Sequence, residues 1–358
     1  MALIQFAPRN LSSFITKGNN LSESESKSQK LDPIDAVITW VDGDDPKLKA
    51  KRRQFLGLEH QTDRQTRERF SEVGELYYCI ASILKNASFI KRIFIVTDDQ
   101  YPTHLERIRT NFGEDAFSKI RVVDHSEIFQ GHEENLPVFN SASIETLLHR
   151  IPDLSNRYIY FNDDFFIVKK VSELDFFVDE KPVLRGEFLP SRTATFYQTQ
   201  RERKNRGQFA LSNKKFSYKE TQYLSFLLLG FDDKYFWHDH TPHPFFKKTV
   251  KKLEETHETS FLQNIKHRER HHSQWDIMAA AAAMEIQHGN EEFRETSLTS
   301  LKPCTKKFQT PYIWRKKIQF YFRKSKFICL QSLSEAKPHT QKLCEDWLID
   351  LLDMHSCQ

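Results

Sequence analysis

Apolar and polar positions follow two different periods in the first half of the chain. Residues 35–41 are apolar and β-branched and end at the turn sequence DGDDP, which indicates a strand. Residues 75–87 have apolar side chains at helical spacing and predict a helix. The same patterns predict further strands at 90–96, 119–123 and 157–161, and helices from Pro102 and over 141–151.

Strands that alternate with helices in this way predict an α/β fold. We expect a Rossmann-like, mostly parallel sheet flanked by helices. The second half differs, since residues 212–231 and 273–288 both have helical patterns, and predicts a mainly helical C-terminal portion. The expected organisation is a flexible, Ser-rich leader (1–30), an α/β core (31–185), a mainly helical part (186–300) and a basic-aromatic C-terminal segment (301–358).

Acidic turns follow four of the predicted strands. Ligands of open α/β sheets bind at the carboxyl ends of strands, so we expect these turns at one edge. Several carboxylates placed together repel one another unless a cation compensates, and Mg²⁺ prefers such oxygen ligands. The alternative is that Asp simply closes turns after strands. The residues are Asp42, Asp44 and Asp45, then Asp98 and Asp99, then Asp124, and finally Asp163 and Asp164.

Composition excludes two kinds of phosphate site. The chain has only 10 glycines, and no two are close enough to form a G-x-G-x-x-G turn or a P-loop. A phosphate must therefore be held by a metal and by cationic side chains. The net charge of +4 is too small to indicate a nucleic-acid-binding protein. The 5 cysteines form no C-x-x-C pair, and no apolar run is long enough to cross a bilayer, so we expect a cytoplasmic protein.

Three polar segments of the second half have candidate chemistry. The histidines of residues 238–243 suit a general base, part of a zinc site, or an incidental polar loop. Residues 266–272 offer arginines that match phosphate oxygens, or a solvated basic loop. Residues 301–326 contain nine Lys or Arg and no acid, interleaved with aromatic residues. That run suits an anionic polymer, acidic lipid headgroups or single-stranded nucleic acid, or it is the exposed face of a packed element.

The amino-acid sequences of several segments resemble those of one family. Residues 35–46, DAVITWVDGDDP, are similar to the first conserved block of the Stealth family of sugar-1-phosphate transferases, which includes bacterial capsular polysaccharide phosphotransferases and the animal enzyme that tags lysosomal glycoproteins. The resemblance covers roughly residues 33–290. Further matching residues are Arg69-Phe70, Gly74-Glu75-Leu76, residues 95–98 with Gln100 and Pro102, Asp124-His125, residues 136–141, Ile144-Glu145, residues 149–152, residues 161–164, residues 240–243, Thr259-Ser260 and residues 270–276.

The chain departs from the family pattern at several positions. Residues 327–330 fit the opening of the fourth block, but Gln331-Ser332 stands where Asn-Asp is usual. His104 replaces a usual Trp, and Ala81 a usual Arg. These differences indicate a different donor sugar or acceptor and leave the role of the fourth block open.

The resemblance implies a reaction. An acceptor hydroxyl attacks the phosphorus attached to the sugar of a UDP-sugar, UMP leaves, and a phosphodiester joins the sugar to a growing capsular or other surface polysaccharide. The alternative is a metal-dependent glycosyltransferase that releases UDP. The location implied is the cytoplasm, at the inner face of a bacterial plasma membrane, with residues 301–326 as peripheral contact and no nucleic-acid partner.

The resemblance also implies that residues 31–185 form the nucleotide-sugar and metal-binding core and that residues 186–300 complete the active site. It implies roles for individual residues as well. Mg²⁺, with Mn²⁺ as the alternative ion, is expected on Asp164 with Asp163 or Asp276. Arg270 is expected to hold phosphate oxygens, and His240 to take the hydroxyl proton, with His125 as second candidate. The expected substrate-binding residues are Trp40, Asp42, Gly43, Asn162, Asn140 and Arg69.

Overall fold

A five-stranded sheet organises the fold, and four of its strands are parallel. The computed structural model describes residues 32–56, 74–193 and 217–354. The strands, in order across the sheet, are β3 (Ile120–Asp124), β2 (Ile90–Thr97), β1 (Ile34–Thr39), β4 (Arg157–Asn162) and β9 (His243–Phe246). Only β9 is antiparallel to its neighbour. This confirms the predicted α/β class with a mostly parallel sheet. The elements up to this sheet's fourth strand are β1 (Ile34–Thr39), α1 (Pro46–Leu56), α2 (Glu75–Asn86), β2 (Ile90–Thr97), α3 (Leu105–Phe112), α4 (Glu114–Phe117), β3 (Ile120–Asp124), α5 (His125–Ile128), α6 (Ser141–Thr146) and β4 (Arg157–Asn162).

The rest of the described chain mixes helices with short strands. One strand, β7 (Lys181–Pro190), pairs with β10 (Glu292–Arg294), β6 (Phe177–Val178) and β8 (Lys234–His238). Another, β12 (Phe327–Leu330), pairs with β11 (Leu298–Leu301) and β5 (Phe165–Ile167). The elements are β5 (Phe165–Ile167), β6 (Phe177–Val178), β7 (Lys181–Pro190), α7 (Tyr218–Leu228), β8 (Lys234–His238), β9 (His243–Phe246), α8 (Lys247–Thr256), α9 (Glu258–Ile265), α10 (Ile277–Gln287), β10 (Glu292–Arg294), β11 (Leu298–Leu301), α11 (Gln309–Arg323), β12 (Phe327–Leu330) and α12 (Pro338–Leu351). The C-terminal portion is mainly helical, as predicted, with these strands added.

The central sheet separates two hydrophobic cores. Side chains alternate across a strand, so Ala36 and Ile38 of β1 pack into one core and Val37 into the other. The first core also contains residues of α2, α11 and α12, and the second contains residues of α7 and α10. Because both faces are buried, β1 is a nearly continuous apolar run, as expected for a parallel strand.

Several boundaries differ from the sequence prediction for local reasons. The helix predicted from residue 273 begins at Ile277, because the Asp276 carboxylate accepts hydrogen bonds from the Met278 and Ala279 amides and caps it. The helix predicted over 141–151 ends at Thr146, and a short 3₁₀ turn, Leu148–Arg150, follows. A polar loop is one interpretation of residues 238–243. In the structure this segment runs from the last residue of β8 to the first residue of β9.

All described residues fall within one compact unit that starts at Asp32. The proposed leader, residues 1–30, lies outside the described residues, and the division at residues 185 and 300 stays a prediction. No helix in the described part of the chain combines the length and the hydrophobicity needed to cross a bilayer.

Candidate active site

A cavity of about 710 Å³ opens at the carboxyl ends of β1 and β4. Its wall includes residues from both ends of the described chain, from Thr39 to Glu335. Nine of the predicted site residues line it, although they are far apart in sequence. They are Trp40, His125, Asn140, Asn162, Asp163, Asp164, His240, Arg270 and Asp276.

Asp164 presents an unsatisfied carboxylate to this cavity. Its Oδ1 is buried and accepts no hydrogen bond from any described residue, while its Oδ2 lies 3.7 Å from the Cys329 thiol. Burial raises the pKa of Asp164 to about 6. The Asp164 carbonyl oxygen also accepts a hydrogen bond from the Leu330 amide at 3.1 Å, which holds this turn against β12. A buried carboxylate oxygen without a donor is a position that a bound cation would satisfy.

The predicted metal ligands differ in how free their oxygens are. Asp276 is buried; its Oδ1 caps α10, and its Oδ2 lies 3.4 Å from Nε2 of His238. Asp163 and Asp164 are adjacent on the cavity wall. Among the described residues, no group of three or more His, Cys, Asp or Glu side chains could by itself hold a metal ion. Mg²⁺ is often held by one or two carboxylates plus substrate phosphates, and the Asp163–Asp164 pair fits that arrangement.

Asn140 holds in place the segment that presents Arg270. The Asn140 Nδ2 donates to the Glu269 carbonyl oxygen at 3.0 Å and to Gln274 Oε1 at 2.7 Å. The amide of Phe139, the preceding residue, donates to the Arg268 carbonyl oxygen at 2.8 Å. Arg270 itself reaches the cavity beside Ser141, whose Oγ lies 3.4 Å from its Nη2. The amide of Asn140 is therefore engaged within the protein, and its predicted contact with substrate stays a prediction.

His240 lies against an aromatic ring that sequence patterns did not single out. The rings of His240 and Tyr218 stack with centroids 5.1 Å apart and an interplanar angle of 21°. Burial, together with the nearby His238, lowers the pKa of His240 to about 4. The imidazole is therefore neutral at pH 7 and able to accept a proton. A bound anion would raise this pKa by favouring the imidazolium form.

His125 follows β3 and is the second histidine on the wall. Its side chain is buried, and its Nδ1 accepts or donates no hydrogen bond within the described residues. Burial lowers the pKa of His125, while the nearby Asp98 and Asp124 oppose that shift. Both candidate bases are thus neutral near pH 7, and the choice between them stays open.

The Tyr160 hydroxyl connects three polar groups beneath the cavity. Its hydroxyl lies 2.9 Å from Thr39 Oγ1, 2.8 Å from Glu145 Oε1 and 2.7 Å from Asn162 Oδ1. A single hydroxyl hydrogen cannot satisfy both Glu145 and Asn162. Burial raises the pKa of Glu145 to about 7. A protonated Glu145 would donate to the Tyr160 hydroxyl and leave the hydroxyl hydrogen for Asn162. In the sequence, Tyr160 belongs to an apolar strand pattern, so only the tertiary contact identifies its polar role.

Several predicted residues lie elsewhere. Asp42 and Gly43 are not on the cavity wall, although Trp40 and Val41 are. The Asp42 carboxylate accepts a hydrogen bond from the Asp44 amide at 2.8 Å and closes its own turn, as the alternative interpretation of these turns expected. Arg69 lies outside the described residues. The assignments of Asp42, Gly43 and Arg69 therefore stay predictions.

The C-terminal segment contributes wall residues that sequence reasoning did not place. Lys302 follows β11, and Leu330 and Gln331 lie at the end of β12. The divergent fourth block therefore faces the same cavity as the acidic turn of residues 163–164. The two regions meet where the Leu330 amide of β12 donates a hydrogen bond to the Asp164 carbonyl oxygen.

Two family models match the chain. Stealth protein CR1, conserved region 1, matches residues 32–58, and Stealth protein CR2, conserved region 2, matches residues 69–184. These two regions of the chain match the Stealth family. This confirms the resemblance of the first two blocks. The matched regions supply β1 to β4 and most of the acidic edge of the cavity.

Curated relatives of the chain are phosphotransferases by name. It is 38% identical over 205 residues to the capsular polysaccharide phosphotransferase cps1A of Actinobacillus pleuropneumoniae, covering 50% of this chain and 53% of that protein. It is 39% identical over 160 residues to the exopolysaccharide phosphotransferase SCO6021 of Streptomyces coelicolor, covering 45% and 27%. The chain thus spans about half, or less, of the length of these relatives.

Solved glycosyltransferases resemble the chain only distantly. The galactosyltransferase LgtC, with donor and acceptor sugar analogues, has a TM-score of 0.41 and 10% identity, covering 89% of this chain and 95% of that one. The bifunctional glycosyltransferase WbbM has a TM-score of 0.44 and 12% identity, covering 90% and 50%. We draw no conclusion about this chain from likenesses at that level.

Proposed function

We propose that this chain transfers a sugar-1-phosphate from a UDP-sugar to a hydroxyl of a growing capsular or other surface polysaccharide. The observation that supports it best is the single cavity shared by Asp163 and Asp164, Arg270 and the neutral His240. Phosphoryl transfer needs positioning and charge neutralisation more than covalent help, and these groups supply both. The names of the curated relatives point to the same class of reaction.

Each of these residues has its own part in the proposed reaction. The acceptor hydroxyl gives its proton to His240 as its oxygen bonds to the phosphorus next to the sugar, and the bond from that phosphorus to the UMP oxygen breaks. Arg270 stabilises the charge that builds on the phosphate oxygens. Asp163 and Asp164 would hold Mg²⁺ or Mn²⁺, which supplies positive charge to the pyrophosphate.

The nucleotide half of the donor has a candidate position beside β1. Trp40 lines the cavity, and its indole Nε1 is buried without a hydrogen-bond partner among the described residues. A buried donor without a partner is costly, and a carbonyl oxygen of a bound base would satisfy it. We therefore assign the uracil to the Trp40 side of the cavity.

Product analysis distinguishes this reaction from its alternative. The protein, incubated with a panel of UDP-sugars, divalent cation and glycan acceptor, should release UMP and add the mass of a sugar phosphate to the acceptor. Release of UDP with a sugar-only mass increase would replace the proposal with the glycosyltransferase alternative. Either product would still identify the donor sugar.

Two matched pairs of variants test the assigned residues. Asp164→Asn should abolish turnover, whereas Asp99→Asn, in an exposed acidic turn outside the cavity wall, should not. His240→Ala should lower kcat about 10²–10⁴-fold, the usual contribution of a general base. His339→Ala, on the exposed surface of α12, is its control. A loss of only a few-fold in His240→Ala would transfer the role to His125.

A further inference from the structure

Helix α11 has two apolar faces, and within the described part of the chain only one of them is packed in a core. Ile313 and Phe320 are fully buried in the core beside α12. Trp314, Ile318 and Phe322, by contrast, are 55%, 57% and 85% exposed. A packed surface helix ordinarily has one apolar stripe and a polar opposite face. The second apolar face of α11 therefore needs an explanation other than the core.

The exposed apolar residues form one stripe. Trp314, Ile318, Tyr321 and Phe322 are spaced by four, three and one residues, and at about 100° per residue they fall within roughly 100° of the helix surface. Ile313 and Phe320 lie on the other side of the helix by the same count. Scattered exposed apolar residues are common in soluble proteins, but a continuous stripe opposite the core is not.

Cations flank this stripe on both sides. Arg315 is exposed next to Phe322 on the helix surface, and Lys317 lies on the other flank, with its Nζ 5.2 Å from the centre of the Trp314 ring. The whole segment, residues 301–326, contains nine Lys or Arg and no acidic residue. The helix thus combines an apolar stripe with a cation on each flank.

We infer that the exposed face of α11 binds the surface of an anionic lipid bilayer. Aromatic and aliphatic side chains in a stripe enter the boundary between headgroups and acyl chains, and bordering cations pair with anionic headgroups. A soluble polyanion, such as a charged glycan, would use the cations but would leave Ile318 and Phe322 in water. Charge and apolarity together therefore favour a bilayer over a polymer.

This surface goes beyond the proposed reaction and does not depend on it. It is nevertheless connected to the cavity, because α11 lies in sequence between the wall residues Lys302 and Leu330. Binding through α11 would keep the cavity near a membrane surface, where a lipid-attached acceptor would be presented.

Co-sedimentation of the full chain with vesicles tests this inference. The protein should sediment with phosphatidylcholine vesicles that contain phosphatidylglycerol, sediment poorly with phosphatidylcholine alone, and dissociate partly as salt rises. Ile318→Ser combined with Phe322→Ser removes two of the four stripe residues and keeps every cation, and it should reduce binding about tenfold or more. Arg315→Gln combined with Lys317→Gln should weaken binding about twentyfold, from roughly fivefold for each cation.

Matched controls use exposed residues away from α11. Leu174→Ser removes an apolar side chain that is 61% exposed, and Lys91→Gln removes an exposed cation on β2; both should bind vesicles like the parent chain. Far-UV circular dichroism and urea midpoints check that the variants fold. Unchanged vesicle binding by folded Ile318→Ser/Phe322→Ser protein would overturn the inference. Equal binding of that variant and the parent to a soluble polyanion, without vesicle binding, would identify a polymer as the partner instead.

Discussion

Asn140→Asp tests whether the amide of Asn140 fixes the segment that presents Arg270. In the parent chain, Nδ2 donates to Glu269 and Gln274, and it also lies 3.1 Å from Ser143 Oγ and 3.3 Å from the His267 carbonyl oxygen. The Oδ1 atom separately accepts a hydrogen bond from the Ala142 amide and caps α6. Asp retains a capping oxygen and removes the donor, so the substitution separates anchoring from capping.

The expected cost follows from the lost contacts. Two hydrogen bonds contribute about 1 kcal/mol each, and a buried acceptor left without a donor costs about 1–3 kcal/mol. Because Asn140 is only 1% exposed, water cannot replace the donor. We therefore expect Asn140→Asp to lower the free energy of unfolding by about 3–5 kcal/mol at pH 7.

The loss should depend on pH. A carboxyl group buried at position 140 faces carbonyl oxygens, which raises its pKa above the value in the unfolded chain. Below the unfolded value the protonated group can donate one hydrogen bond, and that stability is lost as pH rises through the folded value. The difference from the parent chain should therefore be smaller at pH 4 than at pH 7.

Urea unfolding followed by circular dichroism measures this difference, and limited trypsin cleavage after Lys266, Arg268 or Arg270 reports on the segment itself. Asn135→Asp is the control, because Asn135 donates to the His132 carbonyl oxygen nearer the surface. It should change the free energy of unfolding by about 0.5 kcal/mol or less. If Asn140→Asp stays within about 1 kcal/mol of the parent and cleavage is unchanged, the segment is held by other contacts.

Three further predictions concern stability. Arg92→Ala should destabilise the fold by about 2–3 kcal/mol in urea unfolding, since it removes the bidentate partner of the fully buried Asp35; equal stability would show that the Ser155 amide suffices. Gly186→Ala should cost about 2–4 kcal/mol by the same measurement, because its φ is +154° and an added Cβ would overlap the Trp237 carbonyl oxygen; a cost below 1 kcal/mol would contradict that geometry. Glu145→Gln should gain stability relative to the parent as pH rises from 4.5 to about 7. Over this range Glu145 ionises in the unfolded parent but stays protonated in the folded parent, whose pKa is raised, so the parent loses stability. A stability difference that does not change with pH would show that Glu145 titrates normally.

The residues around the cavity show which features of the site sequence patterns predict and which they do not. Periodicity placed β1 to β4 within a few residues, and the position of Asp163 and Asp164 after β4 predicted the edge where they lie. The same rule placed Asp42 there too, yet its carboxylate closes a local turn. Strand ends are local features, but whether an acid faces a cavity depends on which distant segments cover it.

The sequence by itself determined the α/β class, the acidic edge, the exclusion of glycine phosphate loops and the resemblance of its first two blocks to the Stealth family. Only the tertiary structure decided that Asn140 anchors residues 267–274, that Tyr160 and Glu145 share a buried hydrogen bond, and that α11 leaves an apolar stripe exposed. The physical reason is that strand and helix periods depend on neighbours in sequence. Burial, pKa and hydrogen-bond partners depend instead on residues that are distant in sequence, 15 positions for Tyr160 and Glu145 and 129 for Asn140 and Glu269.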